Sequence, residues 1–238
     1  MDNAGYTALT RQNGLQREMQ ALANNIANLS TTGFRREGVL FSEFVQRLER
    51  VESSLSMAAA NARQTFLVQG AMSQTGGALD LAIEGDGFFL IETPQGERIT
   101  RAGHFQVNAE GEMVTPDGYR VLDDGGAPIF VPVEAGNVAV SRDGTVSVDG
   151  APLAQIALVR PEDPSELRRA TGVLLVPTGE LVPAEETVIH QGFLEESNVN
   201  PISEMARLIA VQRAYELGQS FLEREDERIR NVVQTLSR

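Results

Sequence analysis

The chain has 238 residues, 42% of them hydrophobic, enough to bury one substantial core with an appendage or two. A formal charge of −13 opposes phosphate backbones, and 5% aromatics with no Trp give little to stack sugars or bases on. The absence of cysteine removes disulfides, thiolate nucleophiles and Cys-based metal sites.

The first thirty residues lack a cationic start followed by a continuous apolar stretch, so neither a cleavable secretory signal nor a membrane span is expected. The protein should stay cytoplasmic or leave by a leaderless route. From about Ala4 to Leu29 the sequence predicts a helix, because Leu15, Met19, Leu22, Ile26 and Leu29 alternate spacings of four and three and line up as a narrow apolar seam. Asn24, Asn25 and Asn28 crowd its last turns, each costing roughly half a kcal/mol against Ala. Either their amides make lateral contacts or the helix end frays. Gly33 offers left-handed geometry, with Phe34 placed to fold back on the last turn as in a C-terminal cap.

Between Arg35 and Gln69 the residues Phe41, Phe44, Val45, Leu48 and Leu55 suit an amphipathic helix, yet Ser-rich and Ala-rich sequence follows, so helix and irregular connection stay equally open. Gln69 to Gly77 reads as a linker. Short apolar runs then recur at Leu79 to Ile83, Phe88 to Ile91, His104 to Val107, Met113 to Thr115, Tyr119 to Leu122, Ile129 to Val133, Val138 to Ser141, Thr145 to Val148, Gln155 to Val159, Val173 to Val176 and Thr187 to Gln191. Gly and Asp punctuate them, as tight hairpin turns require. No crossover helix intervenes.

Asn200 followed by Pro201 marks a helix start, running to about Leu236, on the order of 50 Å of rod. Leu208, Tyr215, Leu222, Ile229 and Leu236 stand seven apart as its seam. The second column, Met205, Gln212, Gln219, Asp226 and Val233, is only partly apolar, so more than one neighbour is required. The expected fold is α+β: N- and C-terminal helices pair as a coiled-coil-like helical domain around a central all-β domain of antiparallel hairpins. The expected divisions are 1–34, a connecting segment 35–77, the β domain 78–199 and 200–238.

Few residues invite chemistry. Gly85-Asp86-Gly87-Phe88 lacks a third glycine in register and a following helix, so it is no dinucleotide loop. Asp80, Glu84 and Asp86 could form a carboxylate pair or a calcium cluster, but the spacing fits no EF-hand and solvated turns explain them better. His104 and His190 have no cysteine or nucleophile-elbow serine beside them and read as satisfied β-domain histidines. Glu225 with Arg228, and Asp226 with Arg230, are spaced as exposed helical ion pairs. No catalytic, cofactor-binding or metal-ligating residue is assigned.

Ala23-Asn24-Asn25-Ile26-Ala27-Asn28-Leu29-Ser30-Thr31-Thr32-Gly33-Phe34-Arg35 resembles the N-terminal signature of bacterial flagellar rod and hook proteins. Leu79 to Phe89, Gly192 to Pro201 and Ile209 to Glu216 resemble further blocks of that family, in the expected order over nearly the whole chain. The short segment joining Phe34 to Gln69 resembles proximal-rod rather than distal-rod members. The resemblance implies a non-enzymatic subunit without cofactors, exported by the flagellar type III apparatus and polymerised with other rod subunits in the axial driveshaft of the cell envelope. It is expected to bind no nucleic acid and to insert in no membrane. The assembly interface is expected at Leu15, Met19, Leu22, Asn24, Asn25, Ile26, Asn28, Leu29, Leu208, Tyr215, Leu222, Ile229 and Leu236, the seams burying their apolar area as adjacent subunits dock. Arg35-Arg36 stands where the family more commonly has Phe-Lys. The rivals are a distal-rod or hook subunit, a secreted β-domain carbohydrate-active protein and a cytoplasmic coiled-coil adaptor.

Overall fold

A computed structural model describes residues 3–46, 55–132 and 136–236; Leu48 and Val133 of the runs above lie outside them. The chain divides into two units, one holding both helices and residues 37–64, the other residues 28–36 and 65–199.

The helical unit comprises α1 (Asn3–Ala27), β1 (Glu37–Gln46), β2 (Leu55–Thr65) and α2 (Pro201–Leu236). Helix α1 stops two residues before Leu29. Gly33 is therefore not its cap. It takes φ +68, and a Cβ there would stand 2.3 Å from the backbone nitrogen of Ala102, a close approach only glycine permits. Among the described residues of 35–69 the helical alternative does not occur: β1 and β2 pair as a two-stranded sheet. Val39, Phe41, Phe44 and Val45 are β-branched or aromatic, and their preference for a pleated ribbon outweighs their near-helical spacing. Helix α2 begins as its capping residues dictate, with the Asn200 side-chain oxygen accepting from the Ser203 amide at 3.0 Å and Pro201 in the first turn.

The β unit is built from β3 (Met72–Gln74), β4 (Leu81–Glu84), β5 (Phe88–Thr93), β6 (Gly96–Thr100), β7 (Gln106–Val107), β8 (Met113–Val114), β9 (Arg120–Val121), β10 (Val138–Val140), β11 (Thr145–Val148), β12 (Ala151–Gln155), β13 (Leu158–Pro161), β14 (Leu167–Arg169), β15 (Leu175–Pro177), β16 (Leu181–Pro183), β17 (Val188–Gln191) and β18 (Phe193–Glu195). The main sheet runs β14-β15-β6-β5-β9-β8-β7, with β13 pairing both β5 and β16; β10-β11-β12, β17-β4 and β18-β3 form smaller sheets. The pairings are antiparallel. Strand β5 explains the architecture. Phe89 and Ile91 enter one core with Leu81, Ile83, Phe105 and Met113, while Phe88 and Leu90 enter a second with Ile99, Leu122 and Leu175. A strand buried on both faces needs a continuous apolar run, which Phe88 to Ile91 supplies. Ile129 to Val133 gives no strand among its described residues, only isolated bridges such as Glu112 with Phe130. Gln69 to Gly77 is not merely a linker, because β3 lies within it and pairs with β18.

Candidate functional site

Helices α1 and α2 pack antiparallel, so their two seams close on each other within a single chain. Leu15, Leu22 and Val211 form the buried centre, flanked by Met19, Leu208, Ala214 and Tyr215. The predicted interface residues Leu15, Met19, Leu22, Leu208 and Tyr215 thus meet inside one subunit. Ile26 and Leu222 are half-buried, and Ile229 is exposed near the end of α2. Leu29 and Asn28 belong to the β unit, where Thr31 donates to the Asn28 side-chain oxygen at 3.1 Å.

Polar rungs interleave with the apolar contacts. Gln12 donates to the Tyr215 carbonyl at 2.9 Å, and it fits because residue 218 is glycine, where a Cβ would come within 2.3 Å of the Gln12 amide nitrogen. Arg207 pairs with Glu18 at 2.7 Å. Asn25 is fully buried and donates to the Glu37 carbonyl at 2.8 Å and the Glu204 carboxylate at 2.9 Å, while its oxygen accepts the Glu37 amide at 2.9 Å. Asn24 also donates to the Glu37 carboxylate. Lateral contacts, not fraying, therefore account for the weak helix formers Asn24 and Asn25. Such rungs fix the register of an antiparallel pair, since any slip leaves buried polar atoms without partners. Asn25→Ala should destabilise the helical unit by about 1–3 kcal/mol, a loss only partly offset by the better helix propensity of Ala. Urea unfolding followed by helix signal measures it.

Closing the seam leaves α2 with a second apolar set. Ile202 (79% exposed), Met205 and Ile209 lie at spacings of three and four on a side of the helix turned away from Val211. Leu217 (69%), Phe221, Val232 and Val233 (60%) continue the exposed apolar surface. With 36 residues against 25, α2 runs past the start of its antiparallel partner. The tail also carries the expected ion pairs: Arg228 with Glu225, and Arg230 with Asp226 at 2.7 Å.

The carboxylates that might have formed a centre each serve a different partner. Asp80 accepts from the Thr75 hydroxyl and meets His104 Nδ1, both at 2.6 Å, and Glu84 meets His190 Nε2 at 2.7 Å. Among the described residues no group of three or more His, Cys, Asp or Glu is placed to hold a metal ion. An open cleft of 720 Å³ is lined by Asp86, Arg160, Glu162, Glu185, Glu186 and Thr187 among others, with no His, Cys or Ser in its wall. Burial raises the Asp80 pKa, but the Thr75 and His104 hydrogen bonds outweigh it and hold the carboxyl below its ordinary 3.8. A depressed folded pKa adds stability that is present above 3.8 and is lost as pH falls through the lower folded value. Asp80→Asn should therefore weaken the β unit at neutral pH and converge with the parent in acid. Urea midpoints at both ends of that range test it.

The signature blocks meet in one buried charge cluster that sequence spacing did not disclose. Glu195 is fully buried; its carboxylate accepts from Arg35 at 2.6 Å, Arg101 at 3.2 Å and the Gly70 amide at 2.8 Å. Both guanidinium groups are buried as well, donating also to the carbonyls of Val68, Ile83 and Gly85. Burial pushes Arg101 down to about 10, with the neighbouring Arg35 cation adding to it against the pull of Glu195 and Asp86. Arg35 is lowered too, first by burial, against Glu195 and Asp86. Arg101 lies 5.0 Å over the Phe88 ring, and Arg169 4.3 Å over Phe34 while also donating to the Arg35 carbonyl. Phe34 is thus packed in the β unit. The unusual Arg35 is a structural anchor, and the one available signal was an acid embedded in the apolar stretch Phe193-Leu194-Glu195.

Helix pair, antiparallel β unit and signature junction together define an axial subunit of the flagellar rod and hook class. Residues 6–35 match the family described as flagella basal body rod protein, 82–148 the flagellar hook protein FlgE/F/G D1 domain, and 190–235 the flagellar basal body rod FlgEFG protein C-terminal family. The chain belongs to the flagellar basal-body rod protein family. It is 41% identical to the flagellar basal-body rod protein FlgF of Caulobacter vibrioides, over 100% of this chain and 99% of that protein. It is 35% identical to FlgF of Rhizobium meliloti over 99% and 98% of the two chains, and 28% identical to the rod protein FlgG of Bacillus subtilis over 96% and 97%. Among these relatives it sides with FlgF.

Proposed function

We propose that the chain is a non-catalytic structural subunit of the proximal rod, polymerised in the flagellar basal body and passing torque along the axial driveshaft. It leaves the cell through the flagellar type III export apparatus and sits in the periplasmic part of the rod between other rod subunits. The observation that carries this reading is the register-locked helix pair with a second apolar surface on α2. The closed seam around Leu22 and Val211 sets the shape of the joining element, and Ile202, Met205, Ile209 and the tail from Ile229 to Val233 are what neighbouring subunits cover. Burying each large aliphatic side chain contributes about 1.5–3 kcal/mol, so several together can hold a polymer of rigid units. A photo-crosslinking side chain in place of Ile209 should capture neighbouring rod subunits in cells, and one in place of Val211 should not. The reverse pattern would show that the seam opens between subunits and that this division of faces is wrong.

A further inference from the structure

The chain passes between its two units four times: after Ala27, after Arg36, before Thr65 and after Val199. Within the β unit the last three of these ends are tied to one another. The Arg36 amide donates to the Asn198 side-chain oxygen at 2.6 Å, and the Asn198 side-chain nitrogen donates to the carbonyls of Phe66 at 2.9 Å and Val68 at 2.8 Å. The Phe66 amide donates to the Arg36 carbonyl at 2.9 Å, the Gly33 amide to the Glu195 carbonyl at 2.7 Å and the Asn198 amide to the Phe34 carbonyl at 3.3 Å. The Arg35, Arg101 and Gly70 contacts of Glu195 lie three residues along the chain from Asn198.

We propose that this knot, with Asn198 as its positioning residue, couples the β unit to the helical unit mechanically, so that the three crossings carry load together. The proposal rests on the torque-passing reading above. A single strand leaving a folded unit can be peeled away one hydrogen bond at a time. Three segments hydrogen-bonded through one partly buried side chain resist in parallel, so they yield together rather than one bond at a time. Asn198 touches all three: it lies next to the crossing after Val199, accepts from the Arg36 amide and donates to the segment that follows Thr65. Arg35 reinforces the tie from the charge cluster, donating to the Val68 carbonyl and pairing with Glu195.

The test uses Asn198→Ala in the full chain, which removes no charge and no core side chain. Amide exchange on the purified parent should show Gly33, Arg36, Phe66 and Gly70 protected as one group. In the variant all four should fall at least tenfold, including Gly33, Phe66 and Gly70, whose own acceptors remain, while the Leu90 and Ile99 amides hold. If Arg36 alone falls, the crossings are not tied and the proposal is overturned. Should the variant not fold, Asn198→Ser, which keeps a short polar group, takes its place in the same comparison. Cells whose basal bodies contain the variant should swim at parental speed in dilute medium and lose at least half of it, relative to the parent, as viscosity rises. Parental swimming at every viscosity, or a folded variant missing from basal bodies, overturns the transmission role. A parent subunit absent from basal bodies would instead sink the rod reading, and the exchange result would still decide whether the tie exists.

Discussion

Leu22→Asp is expected to dissolve the α1–α2 pair and abolish motility while the β unit stays folded. Leu22 sits at the buried centre of the seam with Leu15 and Val211. The substitution forfeits the Leu packing, about 2–5 kcal/mol, and places a carboxylate in the apolar centre of the seam. That total exceeds what a two-helix unit holds in reserve. Amide exchange should show residues 3–27 and 201–236 opened, with protection unchanged at β4 and β5. Normal swimming by cells carrying the change would mean that the pair is not the joining element.

The second large effect is predicted at Glu195. Glu195→Ala leaves two buried guanidinium cations and the Gly70 amide without their shared acceptor, and should cost about 3–5 kcal/mol of β-unit stability. The combined change Arg35→Met, Arg101→Met, Glu195→Leu should by contrast come within about 2 kcal/mol of the parent or exceed it, because no ion is left to desolvate. The downward shift of Arg101 to about 10 shows that burial already works against its charge. Urea midpoints at unchanged slope measure both. A combined variant as unstable as Glu195→Ala would mean that the cluster acts through shape rather than charge.

Much of the helical unit was legible, because helix seams are periodic and a period survives in a single sequence. The cap at Asn200 and Pro201 and the ion pairs of the α2 tail likewise depend on residues three or four apart. What the sequence concealed depends on partners far away along the chain. Residues 35–69 carry aromatic and β-branched side chains at near-helical spacing, and only strand pairing decides for β1 and β2. Strand β6 begins Gly96-Glu97-Arg98 with no apolar alternation, and its place next to β5 is imposed by the two-residue turn Pro94-Gln95. The buried Arg35 and Arg101 look like surface residues in any local window, and Glu195 is set apart only by the Phe193-Leu194 pair before it. Their signal is non-local, and so is the division of α2 into a face used by α1 and a face left over.

Labelling this subunit and imaging purified basal bodies tests the central claim most directly. The account predicts label confined to the rod, with rods cut short and cells non-motile when the gene is removed. Label recovered only in the soluble fraction, with intact rods in the deletion strain, would contradict it.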